Sequence, residues 1–196
     1  MNEITIYLAS PWFTEDQARI RDDMYDSVVQ RTKGQDVEIF RPDLTESSRL
    51  YGTSPTVDLG RRIFNENVEE ILKSTHLVFP LGTNDVGTLF EVGVAIRTRK
   101  KLLGFNHKSQ EFRLFNKEYL ESLDLIEFSS PTLIQVETLS SAVLLGYNYD
   151  CKKDVYYVLG DGIDDNLMLR FMAKRVEFVS KTNRFKVSEY SIEEAM

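Results

Sequence analysis

A single cysteine, Cys151, occurs among the 196 residues, so no disulfide can form within one chain. Only two histidines are present, and neither His76 nor His107 stands at metal-ligand spacing from that cysteine. No metal or cofactor is expected. No apolar run approaches the ~20 residues that would cross a bilayer. The opening Met1-Asn2-Glu3 lacks the basic and apolar segments of a secretory signal, so an intracellular, cytoplasmic setting is expected. A basic surface is also lacking, because the formal net charge is -7. The densest cationic cluster is Arg97, Arg99, Lys100 and Lys101, at an expected helix C-terminus where cations offset the helix dipole. A nucleic acid polymer is therefore disfavoured as partner, whereas a small nucleoside is compatible with an acidic chain.

Short apolar strands alternate with helical periods. Ile4 to Ala9 reads as a buried strand, broken by Ser10-Pro11. Thr14, with Gln17 three residues on, starts a helix that Gly34 closes. Val37 to Phe40 is the next strand. Residues 43–57 are polar and rich in turn formers, and read as a long loop. A helix over Asp58 to Ser74, a strand over His76 to Leu81, a helix over Thr88 to Thr98 and a strand over Lys101 to Phe105 follow. This rhythm predicts an α/β fold with an open, mostly parallel sheet flanked by helices, flavodoxin-like or Rossmann-like. Ligands then bind beyond the carboxyl ends of the strands, where Ser10–Phe13 and Gly82–Gly87 fall. In the second half, Leu125–Phe128, Leu133–Val136, Val155–Leu159 and Val176–Val179 read as strands, and Leu139–Tyr149 and Asp165–Lys174 as helices. No linker divides the chain, so one domain over 1–196 is expected.

Four residues stand out chemically. Glu91 is the only charged residue between Thr88 and Ile96. In a first helical turn it would stay ionised, as a carboxylate nucleophile must. Thr88-Leu89-Phe90-Glu91 also has capping-box spacing, so a plain helix cap is the competing reading. Asp85 precedes that helix and fits either the same site or an N-cap. Asn67 falls within the apolar face made by Leu59, Ile63, Val68 and Ile71, where a buried amide needs a partner from the protein or a ligand. Tyr7 points away from Ile6 and Leu8 and needs a partner for its hydroxyl. Trp12 and Phe13 follow in a loop, able to stack on a flat base or to cover the core edge. Gly160-Asp161-Gly162 lacks the spacing of a phosphate loop, and Asp161, Asp164 and Asp165 lack that of a calcium loop.

Ile6-Tyr7-Leu8-Ala9-Ser10-Pro11-Trp12-Phe13-Thr14-Glu15-Asp16-Gln17 resembles the opening of the nucleoside 2-deoxyribosyltransferase family. Asp85-Val86-Gly87-Thr88-Leu89-Phe90-Glu91-Val92-Gly93 resembles that family's nucleophile segment. The resemblance covers residues 4–105. It implies that Glu91 is the nucleophile, Tyr7 its orienting partner and Asp85 a ligand-holding residue, with Phe13 near the base and Gly87 within the binding segment. It implies further a double displacement on 2′-deoxynucleosides and a free nucleobase, with net retention and no cofactor. Asn166-Leu167-Met168 resembles a segment that reaches the neighbouring subunit's site, which implies a homo-oligomer with shared sites.

The chain departs from the family pattern in two places. Asn67 stands where the family commonly carries an aspartate that assists protonation of the departing base, and an amide delivers no proton. Residues at about 107–153 have no clear counterpart and read as an insertion. Two other functions stay open at this point. One is an N-glycosidase acting on nucleosides or their monophosphates, with Ser10 and Arg19 available for a phosphate. The other is a non-catalytic nucleotide-binding module, since the fold is similar to TIR-type domains.

Overall fold

A computed structural model of the chain describes residues 4–115, 132–135, 139–149, 156–159, 166–172, 175–179 and 187–191. Cys151, the segment 160–165 and the expected strand at 125–128 lie outside the described residues. The first half alternates as expected: β1 (Ile4–Leu8), α1 (Glu15–Arg31), β2 (Val37–Phe40), α2 (Glu46–Thr53), α3 (Val57–Lys73), β3 (His76–Pro80), α4 (Val86–Arg97) and β4 (Lys101–Asn106). A hairpin adds β5 (Glu111–Phe115). The sheet order is β2-β1-β3-β4-β5, parallel except for the β4–β5 pair. Strand order reverses at β1, so a crevice opens between the carboxyl ends of β1 and β3.

Alternation along β1 divides the core. Ile6 and Leu8 pack with Met24 and Val28 of α1 and with Val78 and Phe105. Tyr7 and Ala9 face the other layer, with Phe64 and Val68 of α3 and Phe90 and Val94 of α4. Helix α4 is buried from Gly87 to Ala95, which explains its nearly uniform apolarity.

The second half holds β6 (Thr132–Gln135), α5 (Leu139–Tyr147), β7 (Tyr156–Leu159), α6 (Leu167–Arg170), β8 (Arg175–Val179) and β9 (Val187–Ser191). These strands form a separate sheet in the order β6-β7-β8-β9, with β9 antiparallel. The range 107–153 thus contributes β5 to the first sheet, β6 to the second, and α5, which packs on α4.

Three expectations need correction. Residues 43–57 are not an open loop: a 3-10 turn over Pro42–Leu44 leads into α2. Thr45 caps α2 by accepting from the Ser48 backbone, and Ser47 donates to Glu66 Oε1 of α3, so local polarity serves helix docking. The helix expected over 165–174 spans only Leu167–Arg170. Helix α4 starts one turn early, because Asp85 is its N-cap and takes both the backbone N–H (2.6 Å) and the hydroxyl (2.7 Å) of Thr88.

Candidate active site

The start of α4 decides the character of Glu91. With Asp85 as cap, Glu91 is the sixth helical residue, beyond the first turn, and cannot be the third residue of a capping box. The competing cap reading of Glu91 therefore fails on register. The expectation that a first-turn position keeps it ionised fails too. Glu91 is 6% exposed. Burial pushes its carboxyl up to about 8, against the pull of the Tyr7 hydrogen bond; the Asp85 charge adds to the rise and the Asn67 bond opposes it.

Two donors converge on this carboxylate. The Tyr7 hydroxyl donates to Oε1 at 2.7 Å, from the end of β1. The Asn67 amide donates to the same oxygen at 3.3 Å, from the buried face of α3. Burial, then the Glu91 charge, raises the Tyr7 phenol well above its ordinary range, so Tyr7 is a donor only. Tyr7→Phe removes the shorter bond and raises the Glu91 carboxyl further. We expect kcat/KM at pH 7 to fall about 10- to 100-fold, with the fall shrinking as pH rises. A pH series of kcat/KM for both proteins measures this.

Asn67 also lies 3.8 Å from Met168 Sδ. Asn166 caps α6 by accepting from the Met168 and Leu169 N–H groups. Its amide lies against Gly87, where a Cβ would come 2.9 Å from Nδ2 and 3.3 Å from Asp85 Oδ2. Glycine is needed there for close approach. Asn166 and Met168 meet the cluster from within the same chain.

A cavity of about 660 Å³ is lined by Asp85, Val86 and Asn166, though not by Glu91, Tyr7 or Asn67 themselves. Its other walls include Phe13, Gln17, Leu81 and His107. Phe13 is 70% exposed and stacks on Trp12 at 5.7 Å between centroids. Trp12 thus backs Phe13 and is not itself in the lining. The Ser10 hydroxyl donates to the Pro11 carbonyl and Arg19 pairs with Asp16, so neither is arranged as the phosphate site weighed from sequence. Among the described residues, no lysine or arginine lines the cavity. Gln17 and His107 were invisible as cavity residues in the sequence; the one signal was the position of His107 just past β4, whereas Gln17 lies in the first turn of α1. Among the described residues, no group of three His, Cys, Asp or Glu side chains could hold a metal, and no helix is long and apolar enough to cross a membrane.

The fold is α/β, and it holds a buried carboxylate with two donors near the carboxyl edge of its first sheet. The family model for nucleoside 2-deoxyribosyltransferase matches residues 6–168, most of the chain, and the protein belongs to that family. No curated protein matches. Among solved structures, a 2-deoxyribosyltransferase from the psychrotolerant bacterium Bacillus psychrosaccharolyticus is similar, with 20% identity and a TM-score of 0.43. That similarity covers 64% of this chain and 93% of that one.

Proposed function

We propose that this enzyme moves 2-deoxyribose between nucleobases through a covalent ester on Glu91. The observation that carries the reading is the convergence of Tyr7 and Asn67 on one oxygen of a buried carboxylate. Both bonds fall on Oε1, which leaves Oε2 as the oxygen to attack C1′. The sugar occupies the end of the cavity at Asp85 and Asn166, and the base lies toward Phe13. Attack by Oε2 expels the first base through an oxocarbenium-like transition state, and a second base displaces Glu91 from the same face. Two inversions give net retention. The Tyr7 and Asn67 donors hold the carboxylate in position and stabilise its charge as it re-forms.

What supports a neutral nucleoside over a monophosphate is that, among the described residues, no lysine or arginine lines the cavity to receive a phosphate. The test is incubation with 2′-deoxyinosine, with and without adenine, followed by chromatography. Deoxyadenosine formed only when adenine is present is the expected result. Free deoxyribose formed equally well without adenine would make the enzyme a hydrolase. No product from a panel of deoxynucleosides and monophosphates would overturn both.

A further inference from the structure

Among the described residues, the cluster around Glu91 offers no side chain to protonate the base that leaves. Asn67 is an amide, and Tyr7 donates to Glu91 with its phenol held far from release. Asp85 accepts two hydrogen bonds from Thr88 as the helix cap. A purine expelled without a proton leaves as an anion, which is costly, so a donor is needed elsewhere on the cavity wall.

His107 is on that wall. It is the first residue after β4, next to the β3 end that carries Asp85. Its Nδ1 lies 3.1 Å from Asp23 Oδ2 of α1, close enough to pair with a protonated ring but off the line of a hydrogen bond. The turn that presents it is firmly tied. Asn106 Oδ1 accepts from the Lys108 and Ser109 N–H groups, and Gln110 Nε2 donates to the His107 carbonyl. Ser27 and Arg31 of α1 in turn donate to Gln110. The imidazole is therefore held on a fixed turn, in the wall of the same cavity that Asp85 and Phe13 line.

We propose that His107, paired with Asp23, is the general acid for the departing base and the general base for the incoming one. This inference rests on the transferase reading above. In the first half-reaction Glu91 Oε2 forms the bond to C1′ while the C1′–N9 bond breaks and its electron pair passes into the purine. The Nε2 proton of His107 goes to N7, and a neutral base leaves beside a neutral imidazole. In the second half-reaction the imidazole takes a proton from the incoming base as that base attacks C1′ and Glu91 departs as carboxylate. Asp23 Oδ2 stands beside Nδ1, which leaves Nε2 as the nitrogen to serve the base. Among the described residues, Asp23 from α1 is the carboxylate beside the ring, and Asp85 lines the same cavity.

The test compares wild type with His107→Gln on 2′-deoxyinosine and on 7-methyl-2′-deoxyguanosine. The methylated base already carries the positive charge that protonation would supply, so it leaves without an acid. His107→Gln should lower kcat on deoxyinosine about a hundredfold, yet leave the methylated substrate within about threefold of wild type. Equal losses on both substrates would reduce His107 to a structural or binding role and overturn the inference. Full activity of the variant on deoxyinosine would overturn it as well. A wild-type protein inert on both substrates would sink the transferase reading and this inference with it, whereas wild-type turnover with equal losses removes the inference alone.

Discussion

Glu91→Gln is expected to reduce turnover of 2′-deoxynucleosides by roughly 10⁴-fold or more, while the protein stays folded and becomes more stable above neutral pH. Loss of activity follows because an amide oxygen cannot form and release the glycosyl ester. The gain in stability follows from burial. A glutamate carboxyl ordinarily titrates at 4.5, but burial moves that of Glu91 up to about 8 in the folded chain. Between these values the folded state holds a proton that the unfolded state has lost. Stability therefore falls as pH rises across the window, by up to about 1.4 kcal/mol per pH unit. Below it both states are protonated, and above it the whole deficit is present. Glutamine keeps the shape without the charge, so the advantage of the variant over wild type should widen from pH 5 to pH 8. Urea midpoints at three pH values measure it.

The same titration has the opposite effect on catalysis. Attack requires the carboxylate, so wild-type kcat/KM on the 7-methylated substrate, which needs no acid, should climb with pH toward 8 while stability declines. A stability difference that does not change with pH would show that Glu91 does not titrate in this window. A variant that unfolds would show that the cluster is built around the carboxylate for structural reasons. The buried charge is then a cost that the fold carries for the reaction, as catalytic sites commonly do.

Much of this arrangement was legible in the sequence, and the parts that were not share a cause. The alternation of Ile6, Tyr7 and Leu8 placed Tyr7 on the layer opposite α1, where the structure has it. The apolar positions of α3 put Asn67 on the buried face, and it is buried. These are local periodicities, and local periodicity survives folding. The register of α4 was misread because Thr88 and Glu91 mimic a capping box, while the decisive fact was an Asp85 side chain folded back onto Thr88. The serines at 47 and 48 resembled loop residues, yet both are buried, Ser47 against Glu66 of the later α3 and Ser48 against the cap residue Thr45. The contact of Asn166 with Gly87, and the separate sheet of β6 to β9, depend on pairings between distant segments. Periodicity shows that such strands exist but not what they pair with.

Gly146→Ala should be the most destabilising single-methyl change at the described glycines outside left-handed turns. Helices α4 and α5 cross with backbone against backbone. A Cβ on Gly146 would overlap the Phe90 carbonyl oxygen and lie 2.8 Å from the Phe90 carbonyl carbon and 3.0 Å from Gly93 Cα. The obstruction is main chain inside a helix, so no side chain can rotate aside and the helices must separate. Overpacking of this kind costs about 1–3 kcal/mol, occasionally more. Gly52→Ala in α2 supplies the contrast, because nothing lies within 4 Å of its added Cβ. There alanine should stabilise by about 0.5–1 kcal/mol, as expected for an open helical position. Thermal melts of the two variants should therefore move in opposite directions. Phe90 directly precedes Glu91, so a displaced Phe90 carbonyl also shifts the carboxylate relative to Tyr7 and Asn67. Gly146→Ala should accordingly lower kcat even at temperatures where it is fully folded, and Gly52→Ala should not. A Gly146→Ala protein with wild-type kcat and an unchanged melt would mean that α5 does not set the position of the catalytic helix.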